Sequence, residues 1–141
     1  MTNRRKDAGF TLVELMVVIV ILGLLITIVA LNVLPAQDRA MVDKAKADIA
    51  TLDSAVELYK LHTGVYPSGG DGLAALLSPP PSLTQPDLYQ RGGYIKKLPK
   101  DPWGRDYVLV SPGTHGPYDI MSLGADGAPG GEAENADLGN W

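Results

Sequence analysis

Two groups of residues in this sequence of 141 are placed to do chemistry. The first is Glu14, a carboxylate inside the apolar run that starts at Phe10, followed by Leu15 to Gln37 without a charged side chain. A carboxylate held in lipid costs about 3 kcal/mol on insertion scales, so Glu14 either lies close enough to the helix end to reach the headgroups or is kept because it has a partner. The second group is Asp126, Glu132, Glu134 and Asp137, in a stretch from Ser122 to Trp141 that has no Lys or Arg. This stretch has too few apolar residues for a core of its own, so by composition it is a solvated acidic tail or is ordered by a cation. Hard oxygen donors suit Ca²⁺, which takes six or more oxygens at about 2.4 Å and accepts backbone carbonyls. An EF-hand does not fit. Asp126 and Asp137 bracket twelve positions with Gly131 sixth, but Ala128 and Gly130 stand where that loop requires side-chain oxygens, and no helices flank it.

Catalysis has little else to work with. Cys is absent, which removes disulfides, thiol nucleophiles and thiolate-held metals together. His62 and His115 lie far apart with no Ser or Cys nucleophile motif beside them, so neither is assigned to catalysis. Paired carboxylates could serve a membrane-tethered hydrolase or sugar-binding module, but nothing in the pattern supplies a shaped apolar pocket around them. The formal charge of −4 argues against nucleic acid, because phosphate contacts need a basic face. Lys96, Lys97 and Lys100 form a small basic cluster that reads as a solvated face, or as a surface meeting an acidic patch on another subunit.

The elements that carry these residues divide the chain in two. A mean hydropathy of +0.04 averages an apolar segment with a polar domain from Asp38 onward, where 14 acidic and 9 basic residues fall. Phe10 to Leu34 is long enough to cross a bilayer, since roughly 20 apolar residues span the hydrocarbon. It is too long for a signal-peptide core and lacks a small-x-small cleavage site. Arg4, Arg5 and Lys6 hold the short N-terminus in the cytoplasm under the positive-inside rule, which sends the polar domain to the far side. Beyond Leu34 the helix continues: Met41, Ala45, Ile49, Leu52, Val56 and Tyr59 form one apolar stripe, while Asp43, Lys44, Lys46, Asp53 and Lys60 fall off it. The pattern predicts one helix on the order of 75 Å long, ending near Thr63-Gly64. Gly23 and Pro35 interrupt it, either as a harmless kink or as a stretch able to melt when subunits pack. Tyr107 to Val110 and Tyr118 to Leu123 read as strands joined by the loop Ser111 to Pro117, giving a small antiparallel sheet over the apolar stripe and an α+β class. Asp101, ahead of the tight turn Pro102-Trp103-Gly104, reads as a turn acceptor.

Two sets of residues carry a family resemblance. Gly9-Phe10-Thr11-Leu12-Val13-Glu14 resembles the class III signal of type IV pilins and type II secretion pseudopilins, a basic leader ending in Gly, then Phe, three residues and Glu. Gly92-Gly93-Tyr94-Ile95, Leu98-Pro99, Asp101-Pro102-Trp103-Gly104, Ser111-Pro112-Gly113, Ser122-Leu123-Gly124-Ala125-Asp126-Gly127 and Asp137-Leu138-Gly139-Asn140-Trp141 resemble the major pseudopilins of type II secretion, the general secretion pathway protein G family. The two sets span nearly the whole chain. A type IV pilin fits less well, because its C-terminal disulfide loop has no counterpart in a chain without Cys.

The resemblance implies the fold and a role. The fold is type IV pilin-like: a long N-terminal helix, membrane-spanning and then amphipathic, packed on the small sheet, with a calcium-bound C-terminal loop. Residues 1–9 are a leader that a prepilin peptidase removes between Gly9 and Phe10, methylating the new amine of Phe10. Residues 10–37 form the hydrophobic transmembrane and filament-core half of the helix, and residues 38–141 the periplasmic globular domain. Glu14 pairs with the N-terminal amine of a neighbouring subunit and sets register. The family's proline stands one turn earlier, where Leu31 is found here, which leaves the site of any melting open. Calcium is held by Asp126 and Asp137 side chains and the Leu123 carbonyl, with Glu134 and Asn135 as further candidates. The implied role is a homopolymer, the periplasmic pseudopilus, anchored in the inner membrane of a Gram-negative bacterium, with minor pseudopilins, an inner-membrane assembly platform and a secretin as partners. Loss of the leader removes three basic residues and one acidic residue and takes the formal charge from −4 to −6.

Overall fold

The computed structural model describes residues 9–141, and residues 31–35 by their backbone alone. The leader ahead of Gly9, with Arg4, Arg5 and Lys6, and the side chains of Leu31 and Pro35 lie outside the described residues. The chain divides into two units, Met1–Gln37 and Asp38–Trp141. Helix α1, Leu12–Thr63, begins in the first and ends in the second.

In the first unit Leu12–Ala30 is long and apolar enough to cross a membrane, and none of it is buried within the protein. An apolar helix with no protein neighbour needs lipid or other helices to cover it. Its one hydroxyl past the first turn is satisfied internally, since Thr27 Oγ1 donates to the Gly23 carbonyl at 2.9 Å.

In the second unit the expected stripe faces the core. Ala45, Ile49, Leu52, Val56 and Tyr59 are buried, joined by Ala55, while Met41 is half-buried. Removing each large apolar side chain from water contributes about 1.5–3 kcal/mol. The cover is a three-stranded antiparallel sheet in the order β1-β2-β3, with β1 Val108–Val110, β2 Asp119–Ser122 and β3 Leu138–Gly139. The register pairs Leu109 with Ile120 and Ser122 with Leu138. Sequence periodicity locates β1 and β2 to within a residue at each end but misses β3, which is too short to show alternation. A 3₁₀ turn, Gly72–Leu76, adds Leu73, Ala75 and Leu76 to the core. Tyr59, Tyr89 and Tyr94 meet edge to face with ring centroids 5.0–6.1 Å apart. Burial pushes the Tyr89 phenol up to about 12, so it stays a donor, to the Ala75 carbonyl at 3.0 Å.

Asp53 lies off the stripe as expected, and it is half-buried there because Tyr118 and Asn140 reach it. Tyr118 donates to Asp53 Oδ1 at 2.8 Å and to Glu57 Oε1 at 3.0 Å, and Tyr107 donates to Asp48 Oδ2 at 2.9 Å. Burial first, then the neighbouring carboxylates, raises both phenols far above their ordinary value.

The loop between β1 and β2 closes on Asp119, which is 2% exposed. Its carboxylate accepts from the Thr114 amide at 2.7 Å and the His115 amide at 3.2 Å, and His115 Nδ1 lies 3.1 Å away. Burial alone would raise the Asp119 carboxyl, but these donors outweigh it and hold the group below its ordinary 3.8. A depressed folded value means the stabilisation is complete above 3.8 and is lost as pH falls through the folded value. Asp119→Asn should therefore melt below the parent at neutral pH, with the gap closing only under pH 3.8, where a gap that stays constant on acidification would contradict this account.

Candidate functional site

At the start of α1, Thr11 and Glu14 form a reciprocal cap. The Glu14 amide donates to Thr11 Oγ1 at 3.2 Å, and the Thr11 amide donates back to Glu14 Oε2 at 3.3 Å. This is a capping box, worth about 1 kcal/mol and readable as Thr-x-x-Glu ahead of an apolar run. The sequence reading followed the charge of Glu14 and passed over its spacing from Thr11. Gly9 and Phe10 precede the helix in irregular backbone, and Phe10 is 81% exposed. The peptide bond at 9–10 is therefore accessible, and the Glu14 carboxylate sits one helical turn from it.

The acidic loop leaves β2 at Leu123 and returns as β3 at Leu138. Its backbone folds on itself: the Ala125 amide donates to the Glu134 carbonyl at 2.8 Å, and the Asp137 amide to the Gly130 carbonyl at 3.2 Å. Leu123 is half-buried at the point of departure and Asp126 is exposed, its Oδ1 accepting from the Ala128 amide at 3.0 Å. Glu134 and Asn135 lie in a short 3₁₀ turn, Ala133–Asn135, with the Glu134 side chain in solvent. Asp137 Oδ2 accepts from the Gly130 amide at 2.9 Å, while its Oδ1 is buried with no hydrogen-bond partner.

That oxygen tests the fit of a cation. A buried carboxylate oxygen without a donor costs roughly 1–3 kcal/mol or more, and a hard cation is a partner that removes the penalty. Among the described residues no three His, Cys, Asp or Glu side chains are grouped for a metal, so a cation here would draw much of its shell from backbone carbonyls. Calcium accepts such a shell, whereas zinc prefers nitrogen and sulfur. The residues present fit Ca²⁺.

The wider pattern decides the family. The family described as "Type II secretion system (T2SS), protein G" matches residues 32–141, and the prokaryotic N-terminal methylation motif matches residues 4–30. This chain belongs to the type II secretion system protein G family. It is 50% identical to the type II secretion system core protein G of Vibrio cholerae serotype O1 over 100% of this chain and 96% of that one. It is 49% identical to the Pseudomonas aeruginosa core protein G over 99% of this chain and 98% of that one. Its fold is similar to the crystal structure of the major pseudopilin from the type 2 secretion system of enterohaemorrhagic Escherichia coli. There the TM-score is 0.68 at 41% identity, over 78% of this chain and 90% of that one.

In this protein G family member, sequence reasoning identifies Asp101 correctly, since its Oδ1 accepts from the Trp103 and Arg105 amides at 3.1 and 2.7 Å. It misses the side chains of Arg105 and Asn140, whose hydrogen-bond partners lie 19 or more residues away and leave no local pattern. His115 stacks on Trp141 with ring centroids 4.0 Å apart. Lys100 pairs with Asp106 at 2.8 Å, and Lys96 and Lys97 are exposed.

Loop closure leaves no room for a side chain at Gly124, where a Cβ would come within 2.7 Å of the Ala136 carbonyl at a φ of +64°. Gly130 has φ +94° but open space around it. Gly124→Ala should lower the unfolding free energy by a further ~1–2 kcal/mol beyond the ~1 kcal/mol left-handed penalty that Gly130→Ala also meets. Equal losses in chemical denaturation of the two variants would show that the loop does not pack as described.

Proposed function

We propose that this chain is the major pseudopilin of a type II secretion system, a structural subunit that polymerises into a pseudopilus. Membership of the protein G family carries this reading, and the fold it shares with the E. coli major pseudopilin supports it. The role is mechanical rather than catalytic. The apolar segment Leu12–Ala30, together with the methylation motif, supports anchoring in the inner membrane with the domain from Asp38 in the periplasm. Assembly with other components of the secretion system follows from the family. The finer partners are a prepilin peptidase, minor pseudopilins, an inner-membrane platform and a secretin.

Within this reading the peptidase cuts between Gly9 and Phe10 and methylates the amine of Phe10. The new ammonium is a compact partner for a carboxylate in an apolar setting, and between subunits such a pair sets axial register. Glu14 Oε2 already takes the Thr11 amide, and the carboxylate keeps further lone pairs for an ammonium, so pairing with a neighbour adds an ion pair to the cap. Assembly is heterologous, with copies adding by helix contacts that do not close into a ring.

For calcium, Asp126 and Asp137 would hold the ion by their side chains and Leu123 by its carbonyl, with Glu134 and Asn135 nearby. Bound calcium supplies positive charge and cross-links the loop, as a disulfide would in a chain with Cys. The buried Oδ1 of Asp137 is the observation that favours this site.

Three experiments test these assignments. Co-expressed with a prepilin peptidase, the chain should appear by mass spectrometry without residues 1–9 and with one added methyl group. Glu14→Leu should be processed and inserted alike but form few filaments by electron microscopy, and wild-type filament yield from it would remove the register role. For the loop, calcium at about a hundred times its Kd should stabilise the full chain in detergent by about 2.7 kcal/mol. Asp137→Asn should abolish that gain while melting no lower than the parent in chelator, because the buried charge is gone. A parent melting temperature indifferent to calcium would exclude the site.

A further inference from the structure

Arg105 stands beside the acidic loop with no part in the ligand set above. Its Nη1 donates to the Gly124 carbonyl at 2.7 Å and its Nη2 to the Ala125 carbonyl at 3.0 Å. The guanidinium lies against the loop backbone so closely that a Cβ on Gly127 would come within 2.6 Å of its Cζ and Nε. The backbone of Arg105 is held in turn by one residue, Asp101. The Arg105 amide donates to Asp101 Oδ1 at 2.7 Å, and the Asp101 amide donates to the Arg105 carbonyl at 2.8 Å. Asp101 is 4% exposed, and its Oδ2 accepts from Ser122 Oγ at 2.7 Å. A single turn, residues 101–105, therefore grips the end of β2 at Ser122 and the start of the loop at Gly124 and Ala125. Leu123 lies between the two grips.

We infer that Arg105 is a positioning residue for the C-terminal loop: with Asp101 it fixes the backbone on both sides of Leu123 before a cation binds. It also directs the Gly124 and Ala125 carbonyls at the guanidinium. Fixing these residues in the ion-free chain reduces the conformational entropy that ion binding must remove. The charge of Arg105 works the other way, since a cation beside a cation site opposes binding. The two effects thus have opposite signs. A lysine keeps the charge and loses the planar fork that meets two adjacent carbonyls. The effect on affinity rests on the calcium reading of the loop, while the effect on loop order does not.

The test uses the full chain in detergent micelles, as parent, Arg105→Gln, Arg105→Lys and Gly127→Ala, the last displacing the guanidinium from the loop side. Hydrogen exchange is followed by mass spectrometry in chelator and in calcium, and calcium binding by isothermal titration. In chelator, peptides containing Ala125, whose amide donates to the Glu134 carbonyl at 2.8 Å, should be protected in the parent. They should exchange about tenfold faster in all three variants, while the buried stripe of α1 is unchanged, which also shows that the variants fold. Calcium Kd should rise about tenfold in Arg105→Lys, the scale typical of groups that orient metal ligands, and by less in Arg105→Gln, which also loses the opposing charge, and saturating calcium should restore protection. Parent-like exchange in chelator for Arg105→Gln, or tighter calcium binding by it, overturns the inference and leaves only the repulsion of like charges. If the parent gives no calcium isotherm, the calcium reading falls, and the exchange in chelator still decides the role of Arg105.

Discussion

One oxygen atom ties the helix to the sheet in the domain that begins at Asp38. Asp53 Oδ1 accepts from the Tyr118 hydroxyl at 2.8 Å and from Asn140 Nδ2 at 2.9 Å. Tyr118 immediately precedes β2, and Asn140 immediately follows β3. Helix α1 thus grips the sheet on either side of the acidic loop, and the same Asn140 accepts from the Ile120 amide at 3.0 Å. The apolar stripe supplies most of the burial energy, but it is directionless. The carboxylate and its two donors select one register of sheet on helix, because a shift of either strand would leave a half-buried charge without partners.

The two halves of α1 obey different solvents. Residues Leu12–Ala30 expose every side chain and keep their polar groups inside the helix, as lipid demands. The second half pays attention to faces: Ile49, Leu52, Val56 and Tyr59 point into the core, and Asp48, Asp53 and Glu57 receive tyrosine hydroxyls along its margin. With few bulky aromatics other than tyrosine, the chain uses Tyr66, Tyr89, Tyr107 and Tyr118 twice, as packing mass and as hydroxyl donors.

Much of this was legible in the residues. The stripe from Ala45 to Tyr59 and the strands around Leu109 and Ile120 follow from periods of 3.6 and 2, and Asp101 follows from its turn. The family landmarks carry the rest of the fold class. What stayed hidden depends on long-range contact. Tyr118 and Asp53 are 65 residues apart, Asn140 and Asp53 are 87 apart, and nothing local marks them as partners. β3 is two residues long, below the length at which alternation exists. In the acidic loop the composition left a solvated tail and a cation site both open, and only the fold picks out Asp137 Oδ1 as the buried oxygen that lacks a donor. The capping box was legible in principle, and the charge of Glu14 masked it.

The shortness of the strands has a bearing on how copies of this chain avoid one another. The outer strands of the sheet are β1, with three residues, and β3, with two. A sheet edge invites edge-to-edge ladder formation in proportion to the row of open amides and carbonyls it presents, and these edges present very few. Beside β1 the isolated bridge between Lys100 and Asp106 sets an ion pair against that margin. A pseudopilin subunit with such short edges is thereby a poor template for amyloid-like growth.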